Sequence, residues 1–183
     1  MIITITGKPC SGKGTVSKIF CQKYNFQYMC TGDMFRQFAK EYGFDNILDF
    51  QHDERVKIID NLVDNRTIEI GKTRLDENIV LDSRLAWHFI PNSFKVFIDI
   101  DWETAGKRLI SANRDSEKVS SLDEAITALK NRWHTENDRY QELYSTDNLN
   151  SKNYDFIIDS ANLTPEEIAE KIYENYKKFI KSR

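Results

Sequence analysis

Three glycines, two lysines and two hydroxyl residues crowd into Gly7-Lys8-Pro9-Cys10-Ser11-Gly12-Lys13-Gly14-Thr15, a composition suited to gripping phosphate oxygens. The glycines let successive backbone N–H groups turn inward, and Lys13 puts a point charge on the β- and γ-phosphates of a nucleotide. An apolar run precedes the loop and a helical pattern follows it, so the positive end of that helix adds to the cradle. Further on, Asp33 and Arg36 lie one turn apart, and a guanidinium fork matches a terminal phosphate bidentately. Asp82, at the end of Asn78-Ile79-Val80-Leu81, suits a carboxylate that holds Mg²⁺ directly or through water. Arg132, Glu136 and Arg139 are spaced four and three apart and share one helix face. Two arginines around a carboxylate make a poor core face but a good clamp for phosphate and sugar hydroxyls. Each of these groups also has a plainer reading: a capping Asp33, a strand-ending Asp82, a surface ladder of ion pairs at 132–139.

The elements that must position these groups follow from hydrophobic periodicity. Strands are expected at 2–6, 26–29, 78–82, 94–99 and 155–159, and four of the five end at or beside an acidic or loop-forming residue. Longer helical patterns alternate with them, which indicates βαβ units around a parallel sheet. Ligands of open α/β sheets gather at the strands' carboxyl ends. Val16, Ile19, Phe20 and Tyr24 carry a helix behind the loop, and another runs from about Asp33 to Tyr42, stopping at Gly43. Residues 53–72 place Val56, Ile59, Leu62, Val63, Arg66 and Ile70 on one face, so 44–77 reads as a mostly helical insertion. A helix over 102–110 leads into a polar stretch, 111–121, flanked by Arg108 and Arg114, and a second helix covers 122–143. The last helix opens on Thr164-Pro165-Glu166-Glu167, an N-cap, a proline at N1 and a capping-box glutamate.

Composition bounds the partners. With 26 basic and 29 acidic residues the net charge is -3, which offers no general attraction for nucleic acid. The 183 residues suffice for one domain. Cys10, Cys21 and Cys30 are odd in number and irregularly spaced, against a disulfide framework or zinc site, so a reduced, cytoplasmic setting is expected. No secretory signal or membrane-length apolar run is seen, so no membrane association is expected. His52, His88 and His134 lack consistent partner spacing, and Trp87, Trp102 and Trp133 are expected to pack rather than stack on a base. No NKxD-type guanine reader is present.

The loop, with Gly14 between Lys13 and Thr15, resembles the variant found in adenylate kinase and its relatives. Thr31-Gly32-Asp33-Met34-Phe35-Arg36 resembles the corresponding segment of nucleoside-monophosphate kinases, whose arginine grips the acceptor phosphate. Ile79-Val80-Leu81-Asp82-Ser83-Arg84-Leu85-Ala86 narrows the resemblance to the cytidylate kinases, which also carry Arg, Asp or Glu, and Arg at the spacing of 132, 136 and 139. Nearly the whole chain is covered. Three positions depart from the pattern: Ser83 and Cys10 stand where glycine is usual, and Ala105 where an arginine is frequent.

The resemblance implies a single domain over 1–183 with the P-loop NTPase-type three-layer α/β/α fold and a five-stranded parallel sheet. Its core would comprise 1–32, 78–110 and 122–183, with a small helical acceptor-binding insertion at about 33–77 and a short lid at about 111–121. It implies transfer of the γ-phosphoryl group of ATP to CMP or dCMP by a cytoplasmic enzyme that needs Mg²⁺, and a monomer is expected. The donor would be held by Gly7 through Thr15, with the metal near Thr15 and Asp82. Asp33, Arg36, Arg84, Arg132, Glu136 and Arg139 would hold the acceptor, while Lys13, Asp82 and the lid arginines Arg108 and Arg114 serve the transfer. Two rival readings stay open. One is a different acceptor, another monophosphate or a small alcohol, for which Asp33 is the well-placed base. The other is an ATP-binding regulatory protein that transfers nothing.

Overall fold

The computed structural model describes residues 1–44, 55–112, 119 and 121–182. Five strands form one sheet: β1 (Ile2–Gly7), β2 (Gln27–Cys30), β3 (Ile79–Asp82), β4 (Phe94–Asp99) and β5 (Phe156–Asp159). Their order is β2-β3-β1-β4-β5 and every pairing is parallel. Around them lie α1 (Lys13–Tyr24), α2 (Thr31–Glu41), α3 (Arg55–Thr73), α4 (Ala86–Phe89), α5 (Trp102–Ser111), α6 (Leu122–Tyr144) and α7 (Pro165–Lys181). A 3₁₀ turn covers Ser151–Asn153.

The central strands are apolar on both faces because both faces are covered. Ile3 and Ile5 of β1 join Val80, Val96 and Ile98 against Phe20 of α1 and Ile168, Ile172 and Tyr176 of α7. Ile2, Ile79 and Leu81 face the other way, onto Ile70 of α3, Ala86 of α4 and Ile90. Phe97 meets Trp133 of α6 on that second face, at 6.2 Å between ring centroids. The result is three layers, helices on both sides of a parallel sheet. Alternation puts all five strand ends, Gly7, Cys30, Asp82, Asp99 and Asp159, along one rim.

Several boundaries shift from the sequence expectation. Helix α2 starts at Thr31, two residues early, with extended Cys30 as its N-cap, so Asp33 sits inside the first turn instead of capping it. On α3 the inward stripe is Ile59, Val63, Thr67 and Ile70; Arg66 is exposed, since one residue is 100° of helix and Thr67 takes the inward place. Thr67 can be buried because its hydroxyl donates to Val63 O at 2.8 Å. The expected capping box of α7 forms, Thr164 accepting from Glu167 N and Glu167 from Thr164 N. Trp87 and Trp133 are buried, as packing residues. In the polar stretch, 113–118 and 120, and with them Arg114, lie outside the described residues. Asp101 caps the start of α5 and Ser121 the start of α6, while Ala105, Leu109, Ala125 and Leu129 pack the two helices together. Ala105 is fully buried there, in a cluster that Cys10 of the phosphate loop also packs against.

Candidate active site

The loop between β1 and α1 is built by two backbone requirements. A Cβ at Gly7 would stand 2.4 Å from Ile98 O and 3.0 Å from Ser11 Oγ, so only glycine lets the loop leave the sheet here. Gly12 has φ 82, in the left-handed region, and Cys10 reaches φ 61 without glycine's freedom. The Ser11 hydroxyl is buried and has no hydrogen-bond partner among the described residues. Residues Gly7 to Thr15 line a cavity of about 240 Å³, closed on one side by Arg84 and Arg132.

Two basic residues expected at the phosphates also make contacts within the chain. Lys8 pairs with Asp99 at 2.7 Å, donates to Ile100 O at 3.1 Å and lies over the Trp102 ring. Arg108 donates to Ser160 O at 2.7 Å and to Cys10 O at 3.4 Å, tying the loop to the segment after β5. Lys13 turns toward the rim and pairs with Asp82, whose other oxygen accepts from Tyr28 Oη at 3.2 Å. Burial, and then the Asp82 charge, push the Tyr28 phenol upward, so it stays a neutral donor.

Ser83 explains how the chain turns after β3. Its hydroxyl accepts from Leu85 N at 3.2 Å and Ala86 N at 3.1 Å, starting α4, and its φ is not positive. The backbone therefore carries no need for the glycine usual at this position. Arg84 is held from behind: its carbonyl accepts from Trp87 Nε1 at 3.1 Å and from Thr6 Oγ1 at 3.4 Å. The side chain then reaches into the second, larger cavity, about 620 Å³.

That cavity gathers Arg36, Arg84, Arg132, Glu136 and Arg139 from three separate stretches, with Lys13 and Asp82 at its border. Glu136 pairs with Arg84 and, at 3.2 Å, with Arg132; Arg139 pairs with Asp60. Asp33 pairs with Arg36, but its side chain is 62% exposed and does not line the cavity. The structure thus brings together every acceptor-side arginine expected and leaves Asp33 out. It also adds residues that sequence reading missed: Tyr28, Asp60, Asp64, Tyr144, Phe35 and Phe89. Asp60 and Asp64 are four apart on α3, a signal easily taken for the wet side of an amphipathic helix. Burial raises both carboxyls; Arg139 opposes this at Asp60, and the Tyr144 hydroxyl, Arg139 and His88 oppose it at Asp64. Tyr140 is pushed up to about 12 by burial.

The model of the "Cytidylate kinase-like family" matches residues 2–162. The chain belongs to the cytidylate kinase-like family. Among relatives, the cytidylate kinase of Methanocaldococcus jannaschii is 35% identical over 162 residues, covering 88% of this chain and 89% of that protein. An S-adenosylmethionine-dependent nucleotide dehydratase of Lacinutrix mariniflava is 38% identical over 182 residues, covering 96% of this chain. The chain spans only 36% of that relative's length. Among solved structures, shikimate kinase from Bacteroides thetaiotaomicron superposes with a TM-score of 0.65 at 17% identity, over 99% of this chain and 98% of that one. That likeness concerns the fold. Family and fold together support a nucleotide-binding phosphotransferase of the nucleoside-monophosphate-kinase type. No described helix is long and apolar enough to cross a membrane.

Proposed function

We propose that this chain transfers the γ-phosphoryl group of ATP to CMP or dCMP. The observation that supports the reading best is the meeting of the two cavities. Lys13, Arg84 and Arg132 line both, so a donor phosphate in the loop and an acceptor phosphate in the larger cavity would meet across the same three cations. Cations shared between donor and acceptor suit a reaction whose charge spreads over the transferring group. The loop amides hold the donor, Arg36 and Arg139 hold the acceptor, and Lys13 passes from Asp82 to the phosphates. No covalent intermediate or general base is required, because a phosphate acceptor is already ionised.

Mg²⁺ fits what is present. Gly14 lies close to Asp82, a Cβ there standing 3.4 Å from Asp82 Oδ2, and Thr15 lines the loop cavity. One carboxylate and one hydroxyl suit an ion that keeps water and phosphate oxygens as its other ligands. Bound there, it would neutralise charge on the β- and γ-oxygens. The insertion at 33–77 then serves as the acceptor module and 111–121 as a lid. A small-alcohol acceptor is disfavoured, since Asp33, the base it would need, is turned to solvent. The dehydratase name attaches to a protein mostly outside the aligned region, and we infer no such chemistry for this chain.

ADP release with Mg·ATP against CMP, dCMP, UMP, AMP, GMP and no acceptor tests the reading. Turnover confined to CMP and dCMP is expected. Silence with every acceptor, while ATP still binds, overturns it.

A further inference from the structure

Two carboxylates of the larger cavity carry the wrong sign of charge to hold a phosphate themselves. Asp60 and Asp64 lie one turn apart on α3 and line this cavity but not the loop cavity. Lys13, Arg84 and Arg132, by contrast, line both cavities. Beside the two carboxylates stand aromatic surfaces. The Tyr144 hydroxyl donates to Asp64, and the Phe89 ring meets Tyr144 edge-on at 5.4 Å and 88°. Both rings line the same cavity. Flat apolar walls with a few convergent polar groups suit a planar heterocycle.

We propose that Asp60 and Asp64 read the base of the acceptor and select one that presents an exocyclic amino group, as cytosine does at C4. The proposal rests on the monophosphate-kinase reading above and adds to it the wall that chooses the base. An ionised carboxylate only accepts hydrogen bonds, and its two oxygens offer about four lone-pair sites. Asp60 already serves Arg139 and Asp64 serves Tyr144, yet each retains capacity for another donor. The C4 amino group of cytosine supplies that donor. Uracil puts a carbonyl oxygen in the same place, so acceptor would face acceptor inside a partly buried site. The partners on the protein side favour this sign: the Arg139 charge favours the ionised form of Asp60 against its burial, and the Tyr144 hydroxyl directs its one hydrogen to Asp64 and has none left for the base.

Kinetics with paired acceptors test the proposal. On the wild-type chain, CMP is compared with UMP and with the 2-pyrimidinone ribotide, which carries hydrogen at C4. CMP should lead both in kcat/KM by roughly ten- to a hundredfold, the range of one hydrogen bond to a charged group. In Asp64→Asn the side-chain amide can donate to a C4 oxygen. CMP should then lose by a similar factor, mainly in KM, while UMP gains, and the CMP-to-UMP ratio should fall at least tenfold. A merely structural role would lower both acceptors equally, and that outcome overturns the proposal while sparing the kinase reading. Equal turnover of CMP and the ribotide by wild type overturns it without any variant, should Asp64→Asn fail to fold. Absence of turnover with every monophosphate overturns both readings together.

Discussion

Asp64 keeps its proton more tightly in the folded chain than in water, because burial disfavours the charged form. The native state thus binds more protons than the unfolded one above the ordinary carboxylate pKa of about 3.9. Stability is therefore lost as pH rises through the raised native value, not gained. Asp60 acts in the same direction and has Asp64 as a further like charge. Replacing Asp64 by Asn should raise the melting temperature at pH 8, at about 2–4 °C per kcal/mol for a chain of this size. The gain should vanish near pH 4, which thermal melts at the two pH values would show. Higher stability with poorer CMP turnover would be the trade expected at a binding site. Such carboxylates escape sequence reading because nothing in Asp60 or Asp64 distinguishes a cavity wall from a wet helix face. Lys13 and Asp82 were legible because a contiguous loop and a strand end announce them locally.

At the scale of elements, α4 matters beyond its four residues. It fixes where Arg84 points, and Ser83 starts it by accepting two backbone N–H groups. Ser83→Ala should leave those buried donors unpaired, costing about 1–3 kcal/mol. Urea unfolding would measure the loss, and the KM for the acceptor should rise more than that for ATP. Arg84→Lys should also weaken the acceptor, by about tenfold or more in kcat/KM, since an ammonium lacks the planar fork. Elements with a long period, such as α1, α6 and α7, could be placed from sequence to within a residue or two. Helix α4 could not, being too short to show any period. The start of α2 was misplaced because Asp33 has the chemistry of a cap, whereas the extended backbone of Cys30 decides the matter.

Across the whole molecule, the sheet order and three layers follow from five apolar runs separated by helical ones, and these were legible. The joining of two cavities through Lys13, Arg84 and Arg132 was not, because it brings together side chains from the loop, from the turn after β3 and from α6, far apart in the chain. Each acceptor-side arginine meets a carboxylate of the chain itself: Arg36 with Asp33, Arg84 and Arg132 with Glu136, Arg139 with Asp60. Glu136→Gln should therefore strengthen inhibition by inorganic phosphate, by about tenfold, in a competition assay against the acceptor. The wild-type chain should hardly notice that anion. A seat whose armrests are already clasped is a poor trap for passers-by. Bare phosphate brings charge and nothing else, so it must break pairs that it cannot outbid. A nucleotide arrives with a ring and a sugar as well, and can open them. The empty molecule would then stay unclogged in a medium rich in small anions, at no cost beyond a slower first encounter.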